Sequence, residues 1–90
     1  MVPIHPGRIL RRELSARKLS ANVLARALRV PSGRIVDILN GKRSVTAETA
    51  LRLGRYFGNA PQFWVNLQAQ YDLAVADVGW LVEREVQTAA

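Results

Sequence analysis

Cysteine is absent from this chain and histidine occurs once. Disulfides, thiolate metal sites and His-based zinc sites are therefore excluded, and the fold has to be held by packing alone. No segment approaches the ~20 consecutive apolar residues of a membrane span, and residues 1–12 lack the apolar core of a secretory signal. A cytoplasmic protein without a membrane partner is expected. No glycine-rich phosphate loop occurs. The carboxylates lie singly on separate segments, and the one histidine, His5, has no serine and carboxylate in a motif around it. No enzyme is expected from this inventory, and neither a cofactor nor a metal.

Acid is scarce where base is plentiful. Residues 1–58 hold twelve of the thirteen Lys and Arg against three acids, Glu13, Asp37 and Glu48, whereas residues 59–90 hold Arg84 against Asp72, Asp77, Glu83 and Glu85. The whole net charge of +6 thus resides in the first two thirds. Such an asymmetry points to an N-terminal surface that meets a polyanion and a C-terminal part with another task, although a proteome that favours Arg at solvated positions produces the same excess. With 90 residues, about half of them hydrophobic, the chain can bury one modest core; a monomer of this size is marginal, which favours dimerisation.

Pro and Gly punctuate five helical patterns, so an all-α fold is expected. Pro6 suits a first helical position, and Ile9, Leu10 and Leu14 form a narrow apolar stripe over about 6–17. Ser20 is placed to cap a short helix over about 21–28, with Val23, Leu24, Ala27 and Leu28 at helical spacing. Pro31 opens a third helix carrying Ile35, Ile38 and Leu39, which stops at Gly41. Thr46 caps a fourth that ends at Gly58, with Ala50, Leu51, Leu53, Gly54 and Phe57 inward and Arg52 and Arg55 outward. Asn59 is placed to cap a fifth, with Pro61 in its first turn and an apolar stripe through Phe63, Trp64, Leu67, Tyr71, Ala74 and Val75. Beyond residue 76, Val78, Trp80, Val82 and Val86 alternate with period two, as in a short strand or extended tail, although Leu81 and Val82 also fit a helical turn. The expected organisation is one domain over 1–76 and a tail over 77–90 that is a candidate dimer contact.

Two short helices joined by a tight turn over about 20–40 form a helix-turn-helix signature. Ala25 is small where the helices must approach, and the third helix packs through Ile35, Ile38 and Leu39 while leaving Ser32, Gly33, Val36, Asp37 and Asn40 free, with Arg34 at the margin. The N-terminal residues of such a helix meet base edges, so Ser32, Gly33, Arg34 and Asp37 are the base-reading candidates. Lys42, Arg43 and Ser44 follow the helix stop and suit phosphate, with Arg29 in the preceding turn as a further phosphate ligand. Any helical bundle has short amphipathic helices with Asn-Gly stops; the charge asymmetry is what favours double-stranded DNA as the partner. His5 beside Pro6 suits a helix cap or a surface residue. Trp64 and Tyr71, with Phe63, Leu67 and Trp80, suit the core or a dimer interface, and Asn66 and Gln68 suit hydrogen bonds to a neighbouring backbone.

The segments "HPGRIL", "LARALRVPSGRIVDILNGKRSVTAETALRLGRYFG" and "PQFWVNLQAQYDL" within residues 5–76 resemble the HigA-type antitoxin family, also known as virulence-associated protein I, within the lambda-repressor-like, XRE-type helix-turn-helix group. The His-Pro-Gly start combined with Phe63, Trp64, Asn66, Leu67, Gln68, Tyr71, Asp72 and Leu73 is more specific than the helix-turn-helix itself. The resemblance implies a five-helix homodimer, nucleoid-associated, that binds a palindromic operator to repress its own operon and neutralises a cognate HigB-type toxin, a RelE-like mRNA endonuclease. The chain departs from the family pattern at Ala21 and Val23, where Gln and Glu complete a capping box, at Arg29, where Gly is usual, and at Arg8, where Glu is frequent. The missing Gln and Glu keep open a toxin-binding module with weak DNA binding, and a stand-alone repressor without a toxin partner is a further alternative.

Overall fold

The computed structural model describes residues 3–77, 86, 87 and 89. Five helices follow one another: α1 Pro6–Arg17, α2 Ala21–Leu28, α3 Ser32–Leu39, α4 Ala47–Phe57 and α5 Pro61–Ala76. Among the described residues there is no strand. The tail expected through Val78, Trp80 and Val82, and with it the dimer role of Trp80, lies outside the described residues.

Helices of eight residues such as α2 and α3 are too short to persist alone in water, so their ends and their apolar faces both have to be tied down. The ends are tied by side chains the sequence supplies at the right places. His5 Nδ1 accepts from Gly7 N–H at 2.9 Å, Ser20 Oγ from Val23 N–H at 3.1 Å and Thr46 Oγ1 from Thr49 N–H at 3.3 Å. At the opposite poles two arginines from other helices supply the cation that a helix C-terminus favours. Arg52 Nη1 donates to the Leu28 carbonyl at 2.8 Å, and Arg11 Nη2 donates to the Leu39 carbonyl at 3.4 Å and to Asn40 Oδ1 at 3.2 Å.

The apolar faces meet in one core in which Leu10, Leu24, Ile35, Ile38, Leu53 and Trp64 have no exposed surface. α2 and α3 pack on one another, α1 lies against α3, and α4 packs along α5. Gly7 is what lets α1 come so close to the end of α3, because a Cβ there would sit 1.8 Å from the Ile38 carbonyl oxygen.

Four details depart from the sequence expectation. Leu51 is 60% exposed, because the inward face of α4 is set by Thr49, Ala50, Leu53 and Gly54. Arg52 is half-buried rather than outward, drawn in by the Leu28 carbonyl. Asn59 does not cap α5, whose N-cap is Ala60 with no side-chain bond; its Oδ1 instead accepts from Trp64 Nε1 at 3.0 Å, which satisfies the only polar group of the buried indole. Finally, Phe63 and Val75 point outward on α5, and the buried positions are Trp64 and Gln68.

Lys18 and Arg29 close α1 and α2 in the left-handed conformation, with φ of 56° and 59°. For a residue with a side chain this costs roughly 1–2 kcal/mol, a strain glycine escapes at some cost in chain entropy. Lys18→Gly is expected to raise stability by about 1 kcal/mol, read as a rise of roughly 4–8 °C in Tm; an unchanged or lower Tm would show that the Lys18 side chain contributes more than its backbone loses.

Candidate nucleic-acid interface

The third helix is presented with one face free. Ser32, Gly33, Val36 and Asn40 are exposed and Asp37 is half-buried, while Ile35 and Ile38 fix the opposite face in the core. Eight residues make a helix ~12 Å long, about the width of the DNA major groove. Ser32 also borders a shallow cleft lined by Asn22, Ala25, Arg26 and Val30, so the start of α3 lies beside the cation of Arg26. The exposed Arg29 precedes the helix and the exposed Lys42, Arg43 and Ser44 follow it. Cations therefore stand at both ends of the free face.

Arg34, the longest of the four base-reading candidates, is the one the structure does not leave free. Its Nη1 donates to Glu48 Oε1 at 2.8 Å, and its side chain is only 24% exposed. Sequence reasoning missed Glu48, because a single acid near the start of α4 reads as an ordinary first-turn carboxylate favoured by the helix dipole. Arg26, Arg11 and Arg52 were missed for a similar reason: their positions become meaningful only once other helices are docked.

The loop that carries Lys42, Arg43 and Ser44 is held from two sides. Gly41, at φ 72°, turns the chain out of α3, and Lys42 N–H donates to the Asp37 carbonyl at 2.8 Å. From α5, the buried Gln68 accepts the Val45 N–H at 2.8 Å through Oε1 and donates to Asp72 Oδ1 at 2.9 Å through Nε2. From the start of α1, the His5 ring caps the helix through Nδ1, and its ionisation also feels the Arg43 backbone. Tyr71 meets that ring edge-on at 4.8 Å. Burial lowers the His5 pKa from its ordinary value, against the opposing pull of Asp72 and of the Arg43 backbone; the neutral ring is the form that can accept at Nδ1. His5, Gln68, Tyr71 and Asp72 thus form a linked group beside the base of the exposed cationic loop. Gln68 makes the backbone bond expected of it, while Asn66 is exposed.

Of the residues expected in the core or a dimer interface, Trp64 is wholly buried, Leu67 and Tyr71 are half-buried, and Phe63 is 44% exposed with its ring edge-on to Trp64 at 5.1 Å. Among the described residues no group of His, Asp and Glu is close enough to hold a metal, and no helix is long and apolar enough to cross a membrane.

A helix-turn-helix family model matches residues 10–64. Virulence-associated protein I of Dichelobacter nodosus is 53% identical over 78 residues, which is 86% of this chain and 72% of that protein. An addiction module antidote protein of the HigA family from Coxiella burnetii shares 51% identity and the same fold, with a TM-score of 0.90 over 99% of this chain and 100% of that one. This chain belongs to the HigA family. A second HigA, the Pseudomonas aeruginosa antitoxin solved with the higBA promoter, matches at 44% identity and a TM-score of 0.93 over 99% of this chain and 100% of that one. HigA proteins are helix-turn-helix regulators and antitoxins rather than enzymes, which accords with the absence of a catalytic constellation in the sequence.

Proposed function

We propose that this HigA-family protein is an antitoxin that represses its own operon. As a homodimer it presents two α3 helices to successive major grooves of a palindromic operator, one helical turn apart. Ser32, Gly33, Arg34 and Asp37 read bases, and Arg29, Lys42, Arg43 and Ser44 hold phosphates. The observation that carries this reading is the free face of α3 bracketed by cations, with the cationic loop tied at Lys42 N–H to the Asp37 carbonyl and at Val45 N–H to Gln68. Support also comes from the Pseudomonas aeruginosa relative, which was solved with its promoter. Because Ser32 offers one hydroxyl and Gly33 no side chain, the helix can approach the groove floor closely, and base choice rests on Arg34, Asp37 and DNA shape. Exposed Phe63 and Leu73 on α5 are the apolar surface offered to a second copy. The second activity is neutralisation of a HigB-type, RelE-like mRNA endonuclease. Such a toxin is expected to be basic, so its contact falls on the acidic C-terminal third or on apolar surface. Both activities place the protein in the cytoplasm, at the nucleoid.

A gel shift on the protein's own promoter, with and without any small basic protein encoded beside it, tests both halves. A shift at moderate salt that competitor DNA of unrelated sequence does not abolish is the expected result; no shift would sink autorepression. Failure of the neighbouring protein to co-purify, together with growth arrest that this chain does not relieve, would sink the antitoxin half.

A further inference from the structure

Glu48 lies outside the helix-turn-helix, in the first turn of α4, yet it holds the longest side chain in the first turn of α3. The Arg34 Nη1 to Glu48 Oε1 bond is 2.8 Å, Arg52 Nη2 lies 3.8 Å from Glu48 Oε2, and Arg52 Nη1 donates to the Leu28 carbonyl at 2.8 Å. One chain of polar interactions thereby joins the end of α2 to the starts of α3 and α4. The Glu48 side chain is 61% exposed, and an ion pair with so exposed a carboxylate adds little to stability. Its larger effect falls on the charge and direction of Arg34.

An unpaired arginine at the start of a DNA-facing helix binds any phosphate, an interaction that strengthens all sequences alike. Glu48 offsets one of the two positive charges that Arg34 and Arg52 bring together there, and a phosphate that approaches Arg34 also approaches a carboxylate. The pair fixes the guanidinium plane as well, leaving further N–H donors of the same fork available. Two donors in one plane are what guanine O6 and N7 require.

We propose that Glu48 is a specificity-determining residue: by holding Arg34 it withholds that cation from non-operator phosphate and presents it, oriented, to a guanine edge in the operator. This inference rests on α3 being the DNA-reading helix.

The test compares the full-length protein with Glu48→Gln, binding its own promoter and a scrambled duplex of equal length over a range of salt concentrations. Glutamine retains the acceptor oxygen and removes the charge, and thermal melting checks that the fold is kept. For Glu48→Gln, affinity for the scrambled duplex should rise about tenfold at low salt, and the slope of log K against log salt on that duplex should steepen by about 0.9 per protomer. Promoter affinity should change little, so the preference for the promoter should fall about tenfold. In an Arg34→Gln background the Glu48 substitution should change neither quantity, since its effect passes through Arg34. An unchanged preference and slope overturns the inference, as does an equal rise in the Arg34→Gln background, which would mean that Glu48 repels phosphate on its own account. A wild-type protein that binds neither duplex overturns the DNA-reading role of α3 and this inference together, whereas a wild-type promoter preference that Glu48→Gln leaves intact overturns the inference alone.

Discussion

Gly7→Ala is expected to bring the protein close to unfolding. The added methyl would sit 1.8 Å from the Ile38 carbonyl oxygen and 2.8 Å from the carbonyl carbon, and both are backbone atoms. A flexible side chain could swing aside; a carbonyl at the end of α3, whose oxygen also accepts from Gly41 N–H at 3.0 Å, cannot. α1 would have to lift from α3, opening the core around Leu10, Leu14 and Ile38. Overpacking usually costs 1–3 kcal/mol, and more where no neighbour can yield, so a loss of about 3 kcal/mol or more is expected from a total that for a small domain is about 5–15 kcal/mol. The measurable result is a fall in Tm of roughly 12 °C or more, accompanied by weaker DNA binding, since the Ile38 carbonyl helps to set the turn into the cationic loop. A variant that melts within a few degrees of the wild type would show that α1 can find another seat on α3.

The largest functional effect is expected from replacing Lys42 and Arg43 together by alanine. Both are exposed, and the loop that carries them is held by the Lys42 N–H bond to the Asp37 carbonyl and by Gln68 on Val45 N–H rather than by their own side chains, so the fold should persist. Removing one phosphate-neutralising cation should flatten the slope of log K against log salt by about 0.9. In a dimer, two residues per protomer take away four such cations, which at about 0.1 M salt amounts to roughly three to four orders of magnitude in affinity. The loss should be equal on the promoter and on unrelated DNA, because phosphate carries no sequence information. A loss confined to the promoter would show instead that these residues read bases. The contrast with Glu48→Gln, which should alter preference while sparing promoter affinity, separates the holding function of the loop from the reading function of the helix.

The helices were legible in the sequence because their signals are local. Pro6, Ser20, Thr46 and Gly58 mark ends, apolar residues recur at helical spacing between them, and the observed elements start and stop within a residue of those marks. Arg29, which stands where the family usually has Gly, is left-handed, at φ 59°. What the sequence did not reveal are bonds between residues far apart in the chain. Arg11 reaches Asn40 across 29 positions, Arg52 reaches Leu28 across 24 and Gln68 reaches Val45 across 23. None of these pairs has a spacing that a helical or strand period can flag, and each depends on how helices dock. The same blindness explains the errors on α4 and α5. Leu51 looked buried because a leucine in a helix usually is, and Asn59 looked like a cap because asparagine before Pro61 usually is, until the Trp64 indole offered it a better partner.

The division of labour around α3 has a consequence for how such a protein can change its target. Its ends are bolted by Arg11 and by the Arg34–Glu48 pair, and its underside by Ile35 and Ile38, while the exposed Ser32, Gly33 and Val36 contribute no side-chain hydrogen bond or ion pair to that framework. Substitutions at those three positions leave caps, core and loop intact, and surface changes away from such features usually fall within about ±0.5 kcal/mol. On the proposed reading, the helix is an interchangeable reading head. A lineage can retarget its operator there without first finding stability elsewhere.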